Sequence, residues 1–373
     1  IGETYSMMWD DDFTTTKYLL SHLIRPLLVF LPFIIIVCYV RKERDIKKVI
    51  YSIIASIFLL SVTILVLYIF ATPNKMNFEH VRAGFGKAIG MHGNNIADFY
   101  IAVYPMLLAY TVSKKNLFLT VTTVLSVISI AIIYSRSAYA VVIISTLAFY
   151  LVSGRKKWIP LFITAAALGY SIIPETVIER ALTGFGGEGL NEISAGRTGD
   201  IWIPLFMEFS ANPVSIFIGA GRYAVMGTEA FKDGIILKVG HAHSMYFDTL
   251  FDSGIIGLGF FIIFFWMLLK KFIESHRTIG DKSLLDLMYG IEISVFAFLI
   301  RGITDSFFFP TLTNSFLWIT LGLGTAIVYS GKKRDEDMEG QEDKGEAAGD
   351  SFISPIQSEV YYDEEYSSNS KQP

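Results

Sequence analysis

The chain has 373 residues, 52% of them hydrophobic, with a mean hydropathy of +0.48. Only 18% are charged (net −4), below the quarter or so of a soluble domain, and apolar runs of roughly 20 residues recur along the chain. A water-soluble globule hides one or two such runs but not this many, and the single cysteine, Cys38, excludes an internal disulfide, a CxxC site and a thiolate zinc cluster.

Residues 1–16 are polar, with an acidic run at Asp10, Asp11 and Asp12. The first residue is Ile1, and no signal-like segment precedes the first apolar run, so one or more helices are expected upstream. The first span runs over about 19–40 and contains Arg25 and two prolines; the second covers about 49–71. A polar stretch rich in Gly and Asn follows. Four spans then lie near 96–113, 117–134, 137–153 and 158–173. Residues 174–244 form a long loop with Gly-rich and polar patches, and the last three spans cover about 246–269, 285–303 and 307–330. The fold class expected is all-α: a polytopic membrane protein with about nine transmembrane helices. From Gly331 the tail is acidic and poor in apolar residues, so it should be disordered. No repeat of solenoid period occurs.

Orientation follows from where Lys and Arg fall. Basic loops follow the first span (Arg41, Lys42, Arg44, Lys47, Lys48), the third (Lys114, Lys115), the fifth (Arg155, Lys156, Lys157), the seventh (Lys270, Lys271, Arg277, Lys282) and the ninth (Lys332, Lys333, Arg334). Every second loop is basic, which independently supports the count and assigns those loops, with the tail, to the cytoplasm. The 72–95 stretch, the Ser135–Arg136 turn, the 174–244 loop and the turn after Arg301 then share the opposite face.

Few basic residues remain on that face. Arg136 sits in a tight turn between two apolar helices, in IIYSRSAYA, where a guanidinium is costly unless it meets an anion or a cavity. Plain snorkelling to the interface also fits an arginine at a helix end. The long loop adds Arg180, Arg197, Arg222, Lys232 and Lys238. His241 and His243 follow, two residues apart, which is not the spacing of a helical zinc pair, and no cysteine completes a site. An imidazole, with its ordinary pKa near 6.5, is suited to taking a proton from a sugar hydroxyl; the blander role is hydrogen bonding to loop backbone. Neither GFGGEG nor the Gly219–Gly221 pair is a phosphate loop, because no GK[ST] follows. Asp200, Asp248, Asp252 and Asp305 are candidate acids that also fit helix caps.

Four strings in order resemble the family of O-antigen ligases and polymerases: RAGFGKAIGMHGNNIADF, YSRSAYA, AGRTGDIWIPLFMEFSANPVSIFIGAGRYAV and HAHSMYFDTLFDSGIIGLG. They cover roughly residues 82–260, within a domain expected over 1–330, with 331–373 as the cytoplasmic tail. The resemblance implies a GT-C-like membrane glycosyltransferase of the bacterial inner membrane, with its active site on the periplasmic face. It implies an undecaprenyl-pyrophosphate-linked saccharide as donor, and lipid A–core or a growing polysaccharide as acceptor, with no metal, nucleotide cofactor or nucleic acid. Carried over by position, Arg136 and Arg197 would bind the pyrophosphate and His243 would orient or deprotonate the acceptor hydroxyl. Arg82, Arg222 and His241 would contribute to substrate binding. Two departures stand out: Ser244 replaces the usual Asn, and Gly93 stands where Pro often precedes the Asn, here Asn94. Ligation and polymerisation use the same donor and remain open. The rival readings are a transporter or flippase for a polyprenyl-linked saccharide, which would call for internal repeats and broken helices at mid-membrane, and a scaffold.

Overall fold

In hydrocarbon the backbone has no water to bond, and every regular element among the described residues is helical. The computed structural model describes residue 20 and residues 24–71, 78–91, 93–170, 177–179, 191, 194, 196–236, 240–305 and 314–331. The N-terminal acidic run, the GFGGEG run, Arg180, Lys238 and the C-terminal tail lie outside the described residues.

In chain order the helices are α1 (Arg25–Tyr39), α2 (Glu43–Val66, prolonged by a π turn at Leu67–Ala71), α3 (Phe78–Ile89), α4 (Gly93–Lys114), α5 (Leu117–Ile132), α6 (Arg136–Val152) and α7 (Ile159–Tyr170). Then come α8 (Ile203–Ser210), α9 (Pro213–Ile218), α10 (Glu229–Lys232), α11 (Met245–Glu274) and α12 (Lys282–Arg301), with α13 at Ser315–Gly331. Each of the nine apolar segments read from the sequence therefore contains a helix. Four of them, α2, α4, α11 and α12, are long and apolar enough to cross a membrane; α1, α5, α6 and α13 are shorter apolar helices.

Helices α4 and α12 form the buried centre, while α2 and α11 present exposed apolar residues such as Leu59, Phe70, Phe260 and Trp266 outward. The central pair approaches closely at Gly290, where an added Cβ would come within 2.7 Å of the Pro105 carbonyl oxygen and 2.8 Å of Ala109 Cβ. Small residues at such crossings are what allow helices to pack without a hydrophobic drive between them. Hydroxyl pairs tie further helices together: Ser61 with Tyr100 at 2.8 Å, Tyr104 with Thr146 at 3.0 Å, and Thr111 with Thr123 at 2.8 Å.

Three features differ from the sequence reading. The polar stretch at 72–95 contains α3, whose buried Val81 and Phe85 pack on the main core. The long loop builds three short helices around a second core of Leu205, Phe209, Val225, Phe231 and Phe251. Helix α11 breaks at Gly254 (φ 68°, ψ −172°). There the chain at Gly219 crosses so closely that a Cβ at Gly219 would strike the Asp252 carbonyl, and one at Gly254 would strike that of Phe217. The carbonyls orphaned by the break are capped by Ala220 N–H on Phe251 O (2.9 Å) and Gly221 N–H on Asp252 O (3.0 Å). Residues 245–253 thus join the loop's second core, and residues 255–274 alone remain long enough to span a bilayer.

Candidate active site

The site is set at the end of the bundle where α12 finishes and α4 and α11 begin. The string AHSM is held from three directions. Trp202 donates its indole N–H to Ala242 O (2.7 Å), Ala242 N–H donates to Asp248 Oδ1 (2.7 Å), and Met245 N–H bonds both Gly302 O (2.8 Å) and Asp305 O (2.9 Å). Ser244 is the N-cap of α11, its Oγ accepting from Phe247 N–H at 3.5 Å, so serine serves the capping role that Asn would fill. Pinned on both sides, His243 sits in the left-handed region (φ 52°), a conformation that costs energy and persists where surrounding contacts impose it.

The His243 Nδ1 atom is buried without a hydrogen bond among the described residues and lies 3.8 Å from Asp305 Oδ1. That is an ion-pair distance, longer than a hydrogen bond, and unliganded active sites often hold such pairs loosely. Asp305 is itself gripped by Arg301 (Nη2 to Oδ2, 2.8 Å), and Arg301 reaches Asp98 through Nε at 3.2 Å. A guanidinium and two carboxylates, all buried, therefore lock α12 to α4 directly beneath the histidine. His241 packs edge-on against His243 with ring centroids 4.2 Å apart, and its Nδ1 accepts the His243 backbone N–H at 3.2 Å. Burial pushes the His241 imidazole down to about 4; His243, Arg197 and Arg222 act in the same direction and Asp305 against it.

Arg197 precedes the π turn Thr198–Trp202 and is partly buried. Burial lowers its pKa from the ordinary guanidinium value; Asp305 offsets part of this, while the like charges of Arg301 and Arg136 add to it. Arg136 opens α6 just after Tyr134, itself left-handed at φ 57°. Three guanidinium groups thus share a field with two carboxylates beside the His241 and His243 rings. Such a cluster is suited to a polyanion.

Arg136, Arg197, His241 and His243 are therefore brought together. Arg222 lies at the margin: its field reaches His241, but Nη1 is paired with Asp252 Oδ2 at 2.9 Å. Arg82 is engaged elsewhere, donating to Asn94 Oδ1 at 2.8 Å from a buried position. Its side chain lies over Gly93, where a Cβ would meet Arg82 Nε at 3.1 Å and Ile133 O at 3.3 Å, so this arrangement favours glycine at the position where Pro is usual.

Sequence reasoning missed Arg301 and Asp98, and named Asp305 as a candidate acid that also fits a helix cap. The available signal was a charged residue inside an apolar span, which is rare without a function or a partner. No group of three or more His, Cys, Asp or Glu residues able to hold a metal occurs among the described residues.

An apolar groove of about 440 Å³ lies along α6 and α12, lined by Ala140, Ile144, Ala148, Phe296 and Ile300, with Ser137, Arg301 and Thr304 also on its wall. A second cavity, about 480 Å³ with mixed polar and apolar walls, opens in the loop lobe at Arg222. At the far end of the bundle Arg155 makes a bidentate pair with Asp286 (2.8 and 2.6 Å), and midway along α12 Glu292 Oε1 meets His276 Nε2 at 2.6 Å.

Compared with known families, residues 121–262 match the family model described as O-Antigen ligase. The matched segment contains Arg136, Arg197, Arg222, His241 and His243, whereas Arg82, Asp98, Arg301 and Asp305 lie outside it. No curated protein matches the chain.

Proposed function

We propose that this protein, whose residues 121–262 match the O-antigen ligase family model, transfers a saccharide from undecaprenyl pyrophosphate to an acceptor hydroxyl at the periplasmic face of the bacterial inner membrane. The observation that carries the reading is the convergence of Arg136, Arg197 and Arg301 with the His243–Asp305 pair at one end of the bundle.

In the proposed step the acceptor oxygen attacks the anomeric carbon, and the bond from that carbon to the pyrophosphate oxygen breaks. The acceptor proton passes to His243 Nε2, while Asp305 faces Nδ1 and steadies the imidazolium that forms. The leaving pyrophosphate gains negative charge, and the guanidinium groups are placed to stabilise it as it develops, in a site with little water to reorganise. Arg301 is held by its two carboxylates, so its role is to position Asp305 and shape the field, and the direct phosphate contacts fall to Arg136 and Arg197. The groove between α6 and α12 suits the polyprenyl chain, because its walls are mainly apolar, with Glu292 and Arg301 as the charged residues on them. All nine apolar helices cross the membrane in this reading, with the charge-rich end periplasmic and the tail cytoplasmic.

The test is a surface-polysaccharide gel from a deletion strain complemented with wild type, Arg197→Ala or His243→Ala. Long chains retained on the lipid carrier but absent from lipid A–core identify a ligase; core bearing one repeat unit identifies a polymerase. Restoration of the wild-type pattern by both variants overturns the catalytic assignment.

A further inference from the structure

The second cavity does not belong to the reaction centre just described, although it adjoins it. Its walls come from α8 (Glu208), α9 (Asn212, Ser215) and the segment after Gly221 (Arg222, Tyr223, Thr228). Its volume of about 480 Å³ falls within the range of pockets that enclose small ligands.

The charge balance in this cleft differs from that of the arginine cluster. Arg222 is already paired with Asp252 at 2.9 Å, and Asp252 Oδ1 also accepts Ala224 N–H at 3.0 Å. Both oxygens of Glu208 are engaged by the start of α10, from Glu229 N–H (2.8 Å) and Ala230 N–H (3.1 Å). The walls therefore offer polar groups without surplus positive charge, which disfavours a phosphate and suits an uncharged polyol. Asn212 caps α9 through its side-chain oxygen, accepting from Val214 N–H at 3.1 Å, which leaves its NH2 group as a donor beside the Ser215 hydroxyl. On the same cleft the Arg222 guanidinium lies 4.5 Å from the Tyr223 ring centroid, and the Asp252 contacts to Arg222 and Ala224 flank Tyr223, which is left-handed (φ 64°). A flat ring beside directional hydrogen-bond groups matches a pyranose, which has an apolar C–H face and a rim of hydroxyls.

We infer that this cleft is a saccharide subsite, taking uncharged sugar rings of the transferring glycan one step away from the reaction centre. Its link to that centre is Arg222, which lines the cleft and whose field reaches His241. The inference rests on the transferase reading for its biological setting but is tested by binding alone. The sugar rings have two sources, the distal residues of the donor and the end of the acceptor glycan, and their chemistry is the same.

The experiment uses the full chain in lipid nanodiscs and carrier-free oligosaccharides of one to three repeat units, released by mild acid from the host's own surface polysaccharide. Binding is read by saturation-transfer NMR and calorimetry. Ser215→Trp, which fills the cleft without removing a partner, and Tyr223→Ala, which removes the ring, should each weaken binding by about tenfold. Tyr223→Phe should stay within about twofold of wild type. His243→Ala should bind like wild type even though it fails to transfer, so loss of the transferase reading and loss of this inference give different results. Inorganic pyrophosphate should not displace the oligosaccharide. Competition by the lipid-linked donor assigns the cleft to donor sugars, and simultaneous binding assigns it to the acceptor; either supports a saccharide subsite. No binding to wild type, displacement by pyrophosphate, or unchanged affinity in both Ser215→Trp and Tyr223→Ala with native thermal midpoints overturns it.

Discussion

His243 and Asp305 form a partly buried pair on which the proposed reaction can be tested. The imidazole Nδ1 has a carboxylate at 3.8 Å, and its backbone N–H is taken by His241. Replacing His243 by Ala should lower the transfer rate by about 10²-fold or more, the usual contribution of a general base, in an assay with purified donor and acceptor. Asp305→Asn keeps the size and loses the charge, so turnover should fall with KM nearly unchanged; an equal rise in KM would instead mark Asp305 as a substrate ligand. His241 behaves differently. Its folded-state value of about 4 lies below the ordinary imidazole value, so the fold favours the neutral ring. That stabilisation is present above about pH 6.5 and is lost as pH falls toward 4. The thermal midpoint in detergent should therefore drop between pH 6.5 and 4, and the drop should shrink in His241→Asn, which keeps an acceptor for the His243 N–H but does not titrate.

At the scale of elements, the break in α11 and the junction of α12 with α4 position the site. Gly254 takes a φ of 68° and lies against the Phe217 carbonyl, so Gly254→Ala meets both a left-handed penalty of about 1–2 kcal/mol and a steric collision. The expected result is a lower thermal midpoint together with reduced transfer, because the 245–253 segment carries the Ser244 cap and the Asp248 and Asp252 anchors. A native midpoint in that variant would mean that the break is not imposed by local packing. Arg301→Ala should be harsher. It leaves Asp98 and Asp305 buried without their counter-charge, which typically costs about 3–5 kcal/mol, and should show as loss of folded protein on size-exclusion chromatography.

For the whole molecule, the charge pattern makes a claim about sidedness that chemistry can check. Lys232 on α10 and Lys157 after α6 are both exposed, and the alternation of basic loops assigns them to opposite faces. In a background with Cys38 replaced by Ser, a membrane-impermeant thiol reagent should label Lys232→Cys in cells with a permeabilised outer envelope, and Lys157→Cys only after lysis. Equal labelling of both would overturn the orientation. The distribution of ion pairs follows the same division. Arg301, Asp98 and Asp305 gather at one end, the Arg155–Asp286 pair lies at the other, and His276 meets Glu292 midway along α12.

Much of the architecture was legible because a bilayer enforces simple rules. Apolar runs near 20 residues predict helices, and each of the nine segments contains one. Arg136, Arg197, His241 and His243 were readable from composition of the loops and their resemblance to known strings, and they meet at one end of the bundle. What the sequence could not supply was the pairing across distance. Arg301 reaches Asp98 from 203 positions away, and Arg222 meets Asp252 from 30. No local pattern encodes such contacts, because they exist only once α12 has packed on α4 and the loop has crossed α11. The same reason hid the break at Gly254, since a glycine within an apolar run resembles any other until a second backbone is brought against it. Local chemistry determined which segments are apolar helices and which residues are candidates for chemistry, because both are written in runs of side chains; the tertiary structure decided which charges pair, because the partners lie far apart along the chain.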